Sequence, residues 1–278
     1  MIFAPIYYVM GGIILPMSIG DGRLDTLLEV FSTIKGGEKK GLRLNWTRVV
    51  EILPAGYAIL ACLFDAAVEH GVRLENVYIK KRLRKIPVVN NLMGTGRHKT
   101  LPPPNIHFFQ SGDGILCGGE SAFNMTFMND VEAKFGRILS EDLAFSCRLI
   151  FNELMQNSVD HSTAERYYAY AGPWKREFHI GVLDMGITIP AKLEQKYACK
   201  DDVEYLMLCP KPGISTRRRR TGGLGLSHTL DLLKGHQGRL TIVSRDAQMR
   251  RYFKRRHIAR GRLKHRLNGT WCFARFPL

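Results

Sequence analysis

The six cysteines, Cys62, Cys117, Cys147, Cys199, Cys209 and Cys272, form no CxxC pair. That absence excludes a zinc ribbon and the spacing of a disulfide framework. Cys147 and Cys272 sit inside apolar runs, the setting of buried free thiols, and the set reads as reduced, cytoplasmic cysteine. No Lys or Arg precedes Arg23, so the apolar start from Met1 to Ile19 lacks the positive region of a signal peptide. Pro5, Gly11, Gly12 and Pro16 break it well short of the roughly 20 unbroken apolar residues that a spanning helix needs. It reads as a buried strand or two, with a membrane-associating leader as the lesser alternative; no other segment is apolar enough to span a bilayer. There is no repeat at a period of about 20–50 residues, no HExxH and no GxSxG. Gly94-Thr95-Gly96-Arg97-His98-Lys99-Thr100 falls short of a P-loop, because His98 stands before the lysine and Met93 where the first glycine belongs.

Acids are scarce in one region. Residues 211–266 hold 17 Lys and Arg against two acids, Asp231 and Asp246, a net +15 within a whole-chain charge of +16. The rest is near neutral, so the basic character belongs to that stretch. An anionic ligand or partner follows: a nucleotide, a nucleic acid or a charged surface. With 278 residues, 45% hydrophobic and 24% charged, the chain buries a real core and suits one large domain or two small ones.

The chain divides near residue 100, at the stiff Lys99-Thr100-Leu101-Pro102-Pro103-Pro104-Asn105. Before it, Gly41 to Trp46 reads as a strand, Leu53-Pro54-Ala55-Gly56 as a turn, and Tyr57 to His70 as a helix with Ile59, Leu60, Leu63, Phe64 and Ala67 on one face. Gly71 stops the helix and Leu74 to Ile79 opens a second strand. This arrangement, with its Pro54-Ala55-Gly56 helix start, resembles a STAS-type (anti-sigma-antagonist-like) domain over about residues 20–95. No Ser or Thr stands at the turn where switch-type members carry one. After the linker, Ile106–Phe109 reads as a strand and Leu139–Val159 as a long helix capped by Ser140, with Glu141 and Asp142 in its first turn. Strands follow at Phe178–Leu183, Arg239–Ser244 and Thr270–Phe276, with a helix over Leu226–Leu233.

Four elements in this second half carry chemistry. On the long helix, spacings of four place Glu153, Asn157 and His161 on one face; a carboxylate one turn from a carboxamide can order water and supply oxygen to a hard cation. Asp184 leaves an apolar strand into Met185-Gly186-Ile187-Thr188-Ile189-Pro190, and a buried carboxylate there calls for a donor such as a purine amine. Thr221-Gly222-Gly223-Leu224-Gly225-Leu226-Ser227 runs into a helix, a setting for phosphate oxygens. Gly269-Thr270 opens the last strand. Each alone also fits an ordinary turn or a solvated helix edge.

Together they resemble the N, G1 and G2 boxes of the GHKL (Bergerat-fold) ATPases, over roughly residues 106–278. The stretch Gly223 to Ser227 and then Lys234 to Ser244 is closest to the sensor histidine kinase and serine-kinase anti-sigma branch. The resemblance implies a two-layer α/β sandwich at residues 101–278, a histidine-kinase-like ATPase fold with helices on one face of a mixed sheet, preceded by the small STAS-like α/β domain at 1–100. It implies ATP and Mg²⁺ as cofactors. Asn157 would coordinate Mg²⁺, Glu153 would polarise an attacking water, and Asp184 would accept from the adenine amine. Gly186 would let the base approach, Thr221, Gly222, Gly223 and Gly225 would wrap the phosphates, Thr270 would back Asp184, and His161 matches a His of the anti-sigma branch. Thr188 would belong to the cofactor site but departs from the family by replacing the second glycine of the G1 box, which alters how the adenine sits, and Ser158 departs by replacing a small apolar residue. His70, His98 and His107 sit on no paired phosphoacceptor helix, which disfavours an autophosphorylating sensor kinase.

The expected activity is that of a Mg-dependent ATPase or a serine/threonine kinase-like regulatory switch, cytoplasmic and without a membrane anchor, with a regulatory protein partner and a homodimer left open. The rival reading is a basic nucleic-acid-binding module with a regulatory or vestigial nucleotide site. It would act through Arg217-Arg218-Arg219-Arg220 and the run from Arg250 to Arg266, which reads as a long hairpin excursion with Tyr252 and Phe253 interleaved.

Overall fold

The computed structural model describes residues 12–36, 41–86, 89, 105–108, 115–120, 125–161, 166–214 and 225–278. The Pro-rich linker before Asn105, residues 1–11, Arg217–Arg220 and Thr221–Leu224 lie outside them.

The first half is a small parallel unit. Strands β1 (Gly12–Ile14), β3 (Gly41–Asn45) and β5 (Arg73–Val77) form a three-stranded parallel sheet in that order, and β2 (Ser18–Ile19) pairs in parallel with β4 (Glu51–Ile52). The connections carry α1 (Leu24–Lys35) and α2 (Pro54–Glu69), with α3 (Lys81–Arg84) after β5. In α1, Leu24, Leu27, Leu28, Phe31 and Ile34 are buried at helical spacing, while Asp25 in the first turn and Lys35 in the last suit its dipole. Helix α2 starts at a proline, whose missing N–H costs nothing there. Every residue from Pro54 to Ala67 is buried. A helix apolar all round must be covered all round, and α2 is: it packs on its own unit and on a second sheet.

That second sheet has six strands in the order β10-β11-β9-β8-β7-β6, antiparallel throughout rather than mixed. The strands are β6 (Asn105–Phe108), β7 (Ile115–Glu120), β8 (Arg166–Trp174), β9 (Glu177–Asp184), β10 (Arg239–Tyr252) and β11 (His257–Pro277). Helices α4 (Met125–Phe135), α5 (Glu141–His161), α6 (Ile189–Leu193), α7 (Asp202–Leu208) and α8 (Gly225–Gly235) complete the half. Ser140 Oγ accepts from Leu143 N at 3.3 Å and caps α5 as its sequence suggests. No described helix is long and apolar enough to cross a membrane.

Strand alternation sorts the two cores. Tyr167, Ala169, Ile180, Val182, Cys272, Ala274 and Phe276 join the helices of the second half, with Cys147, Ile150, Phe151 and Leu154 of α5. Their strand neighbours Tyr168, Tyr170, Leu183, Trp271 and Phe273 join α1 and α2. Phe31 meets Trp271 edge-on at 5.4 Å, and Tyr168 Oη donates to the buried Asp65 at 2.5 Å. The expected two-layer sandwich is thus covered on its far face by the N-terminal unit. Among the described residues Cys62, Cys147, Cys199, Cys209 and Cys272 are free thiols. Burial pushes the Cys209 thiol up to about 12.

The basic hairpin folds back instead of projecting. Its register breaks on both sides of Arg245, which adopts φ 56 and ion-pairs with Glu194 at 2.5 Å and Asp202 at 2.8 Å. The break returns the end of β10 to its beginning: Phe253 N donates to Gly238 O at 3.0 Å, and the Arg239 guanidinium lies 5.7 Å from the Tyr252 ring. Arg250 Nη2 donates to the carbonyls of Asp21 and Gly22, and Lys264 N to Asp25 Oδ1 at 2.9 Å, tying the hairpin to the turn before α1.

A buried ion pair, Arg275 with Asp21, joins the halves, and Arg275 Nη1 also meets Glu177 at 3.2 Å. Arg275→Met strands the Asp21 carboxylate and should cost about 3–5 kcal/mol, whereas Asp21→Asn/Arg275→Met should recover most of that loss; urea midpoints decide. Next to the pair, a hydrogen bond from His179 and the nearby Arg239 and Arg275 hold Glu177 down from 4.5 to about 2. Burial pulls His179 below its ordinary 6.5. Both lowered groups take up protons more readily when unfolded. Stability should therefore fall as pH drops through about 6.5 and then from about 4.5 toward 2; Glu177→Gln should flatten the lower limb and, by removing the carboxylate that holds His179 up, deepen the upper one.

Candidate functional site

One end of the helix-covered sheet face carries a row of polar side chains. Register places Tyr167, Asp184, Thr270 and Ser244 side by side on β8, β9, β11 and β10. Asp184 is 2% exposed, and two donors hold it: Gly186 N reaches Oδ1 at 3.0 Å, and Ser158 Oγ of α5 reaches Oδ2 at 3.1 Å. Ser244 Oγ meets Thr270 Oγ1 at 2.9 Å, donates to Gly269 O, and accepts from Ile189 N at 2.9 Å, which draws the loop after Asp184 over the row.

The two departures from the motif have local reasons. Ser158 is a hydroxyl because it donates to Asp184. Thr188 is extended, at φ −71 and ψ 153, and its Oγ1 caps α6 by accepting from Ala191 N at 3.3 Å. A glycine there would forgo the cap.

Helix α5 carries the other candidates toward α8. A Cβ built on Gly225 would lie 2.3 Å from Glu153 Oε2, so the Glu153 carboxylate abuts the first residue of α8. One turn on, Asn157 Nδ2 is buried and meets no acceptor among the described residues. An unsatisfied buried amide costs about 1–3 kcal/mol, and a water or phosphate oxygen would relieve it. Gly225, Glu153, Asn157, Ser158, Asp184 and Thr270 therefore follow one another along a single margin of the sandwich. Thr221, Gly222 and Gly223 fall outside the described residues, and of His161 only the helical backbone is described.

Among the described residues no three His, Cys, Asp or Glu gather to hold a metal ion. The arrangement suits Mg²⁺ only in the manner of phosphate sites, with one or two protein oxygens and the remaining shell from phosphate and water. Asn157 and Glu153 are residues of that kind.

Sequence reading missed Ser244 and Tyr167, and took Ser158 as a minor departure. Their signal was available in strand alternation: Ser244 ends the apolar run Leu240–Val243 on the same face as Ile242. Comparisons with family models, curated proteins and solved structures return no match for this chain.

Gly269, at φ 151, closes the site from β11; a Cβ there would fall 2.2 Å from Asp184 O. Gly269→Ala should destabilise by about 1–3 kcal/mol and disturb the Asp184 loop. Gly261→Ala, on the same strand with nothing within 4 Å, should leave the melting temperature nearly unchanged. Thermal unfolding of the two variants checks both outcomes.

Proposed function

We propose that the second half is a GHKL-type, Mg-dependent ATP-binding module, working as an ATPase or a kinase-like regulatory switch, with the first half a STAS-like partner layer fused to it. The observation that carries this reading is the buried Asp184 carboxylate, fixed by Gly186 N and Ser158 Oγ on the margin where Asn157 and Glu153 lie. Asp184 accepts the exocyclic amine of the purine, and Thr270 stands beside it on β11. Asn157 binds through its carboxamide where an oxygen partner is lacking. Glu153 orients the attacking water and takes its proton. Gly225, with Thr221, Gly222 and Gly223 before it, admits phosphate oxygens to the start of α8. Mg²⁺, when bound, would offset phosphate charge. ATP binding then biases a two-state element and with it a protein partner.

Nucleic-acid binding is the second reading. Lys254, Arg255, Arg256, Arg260, Arg262, Lys264 and Arg266 are exposed on the hairpin, which favours it. Against it, the two aromatic rings that could stack on bases are half-buried and engaged: Tyr252 with Arg239 and Phe253 with Arg251.

Calorimetric titration with ATP and Mg²⁺ should give saturable binding. Asp184→Asn keeps the shape and should weaken it about tenfold or more. Glu153→Ala should abolish phosphate release while leaving binding in place. Equal affinity for wild type and Asp184→Asn overturns the reading.

A further inference from the structure

A cavity of about 710 Å³ opens at the opposite end of β9 and β11 from Asp184. Glu177 and Asp184 close the two ends of one eight-residue strand, which at about 3.3 Å per residue sets the places roughly 23 Å apart. Arg176, Arg239, Lys254, Arg255 and Arg275 line the cavity together with one acidic side chain, Glu177, and with Leu278, which carries the terminal carboxylate.

The Glu177 carboxylate is already engaged. It meets Arg275 Nη1 at 3.2 Å, His179 Nε2 at 3.2 Å and Arg239 Nη2 at 3.6 Å. Arg275 is further tied to Asp21. Arg176, Lys254 and Arg255 have no acidic partner among the described residues, and Arg239 Nε is buried without an acceptor. Burial and the neighbouring Arg275 both pull the Arg239 guanidinium below its ordinary value. The surroundings therefore hold more positive charge than the protein neutralises.

The walls are built. Tyr252 stacks on His257 at 6.1 Å and 25°, and the Phe253 N to Gly238 O bond pins the hairpin tip against the start of β10. The volume falls within the roughly 300–1,000 Å³ of small-molecule sites. A nucleic-acid strand would want an extended track with free aromatic platforms, whereas these cations converge on a concavity closed at the hairpin tip.

We propose that this cavity is an anion-binding site for a small ligand carrying two or more linked phosphate groups. Arg176, Lys254 and Arg255 hold the phosphates, and Arg239 and Arg275 back them from the sheet. The fold-back at Arg245 exists to bring the tip into this position. The site stands whether or not nucleotide binds near Asp184.

The test titrates tripolyphosphate into the full chain at low and at physiological salt, followed by calorimetry and by tryptophan fluorescence. Trp174 lines an adjoining cavity of about 530 Å³ that shares Arg176, Glu177 and Arg275, whereas Trp46 and Trp271 are fully buried. Wild type should bind with a change in emission. Lys254→Glu/Arg255→Glu alters exposed residues only and should weaken binding about tenfold or more. Arg260→Glu/Arg266→Glu makes the same change in net charge elsewhere on the hairpin, and should weaken it far less. Circular dichroism and the melting temperature confirm that each variant is folded. Equal losses in the two variants, no loss in the first, or binding without any change in tryptophan emission overturn the proposal. So does tight binding of a single-stranded oligonucleotide that tripolyphosphate fails to displace.

Discussion

Strand β11 sends Thr270, Cys272, Ala274 and Phe276 toward the helices of the second half, and Trp271 and Phe273 toward α1 and α2. Because both faces are buried, a slip of one residue would carry each set into the wrong core. The site depends on that constraint. Asp184 faces Ser158 only while Leu183 faces the N-terminal layer, and Thr270 stands beside Asp184 only while Trp271 packs against Phe31. The apolar packing of the first half thus sets the polar geometry on the opposite side of the sheet.

Much of this was legible in the sequence. The strand, helix and strand between residues 41 and 79, the long helix capped by Ser140 and the strand at 178 follow from periodicity and turn residues, and the structure has them within a few residues; the strands expected at 239–244 and 270–276 are present but extend to Tyr252 and back to His257. Periodicity gives helix α2 one apolar face, whereas its composition, apolar but for Asp65 and Glu69, fits a helix covered on every side. What the cover was could not be read, because it lies more than a hundred residues away on β8 and β9.

Other features had weak local signals. Helix α1 follows an apolar leader that hides its start, and α6 and α7 are too short for periodicity to show. The hairpin was visible as one basic run, Arg250 to Arg266, between two apolar strands, but its reversal was not. It depends on the positive φ of Arg245 and on ion pairs to Glu194 and Asp202, residues that lie some forty to fifty positions earlier. In the candidate site the residue types were legible and their partners were not. Ser158 looked like a loss of an apolar residue and Thr188 like a loss of a glycine, yet each makes a hydrogen bond that only the fold supplies.

The two ends of β9 differ in charge logic. At one stand a buried carboxylate and a carboxamide nitrogen that meets no acceptor among the described residues; at the other, guanidinium and ammonium groups outnumber the acidic side chains beside them. Amide chemical-shift mapping with ATP and Mg²⁺ tests the central claim most directly. The account predicts that shifts appear on Ser158, Gly186, Gly225 and Thr270 and persist when tripolyphosphate already saturates the basic cavity lined by Gly238 and Arg255. Shifts confined to the basic end, or scattered over surfaces remote from Asp184, would contradict it.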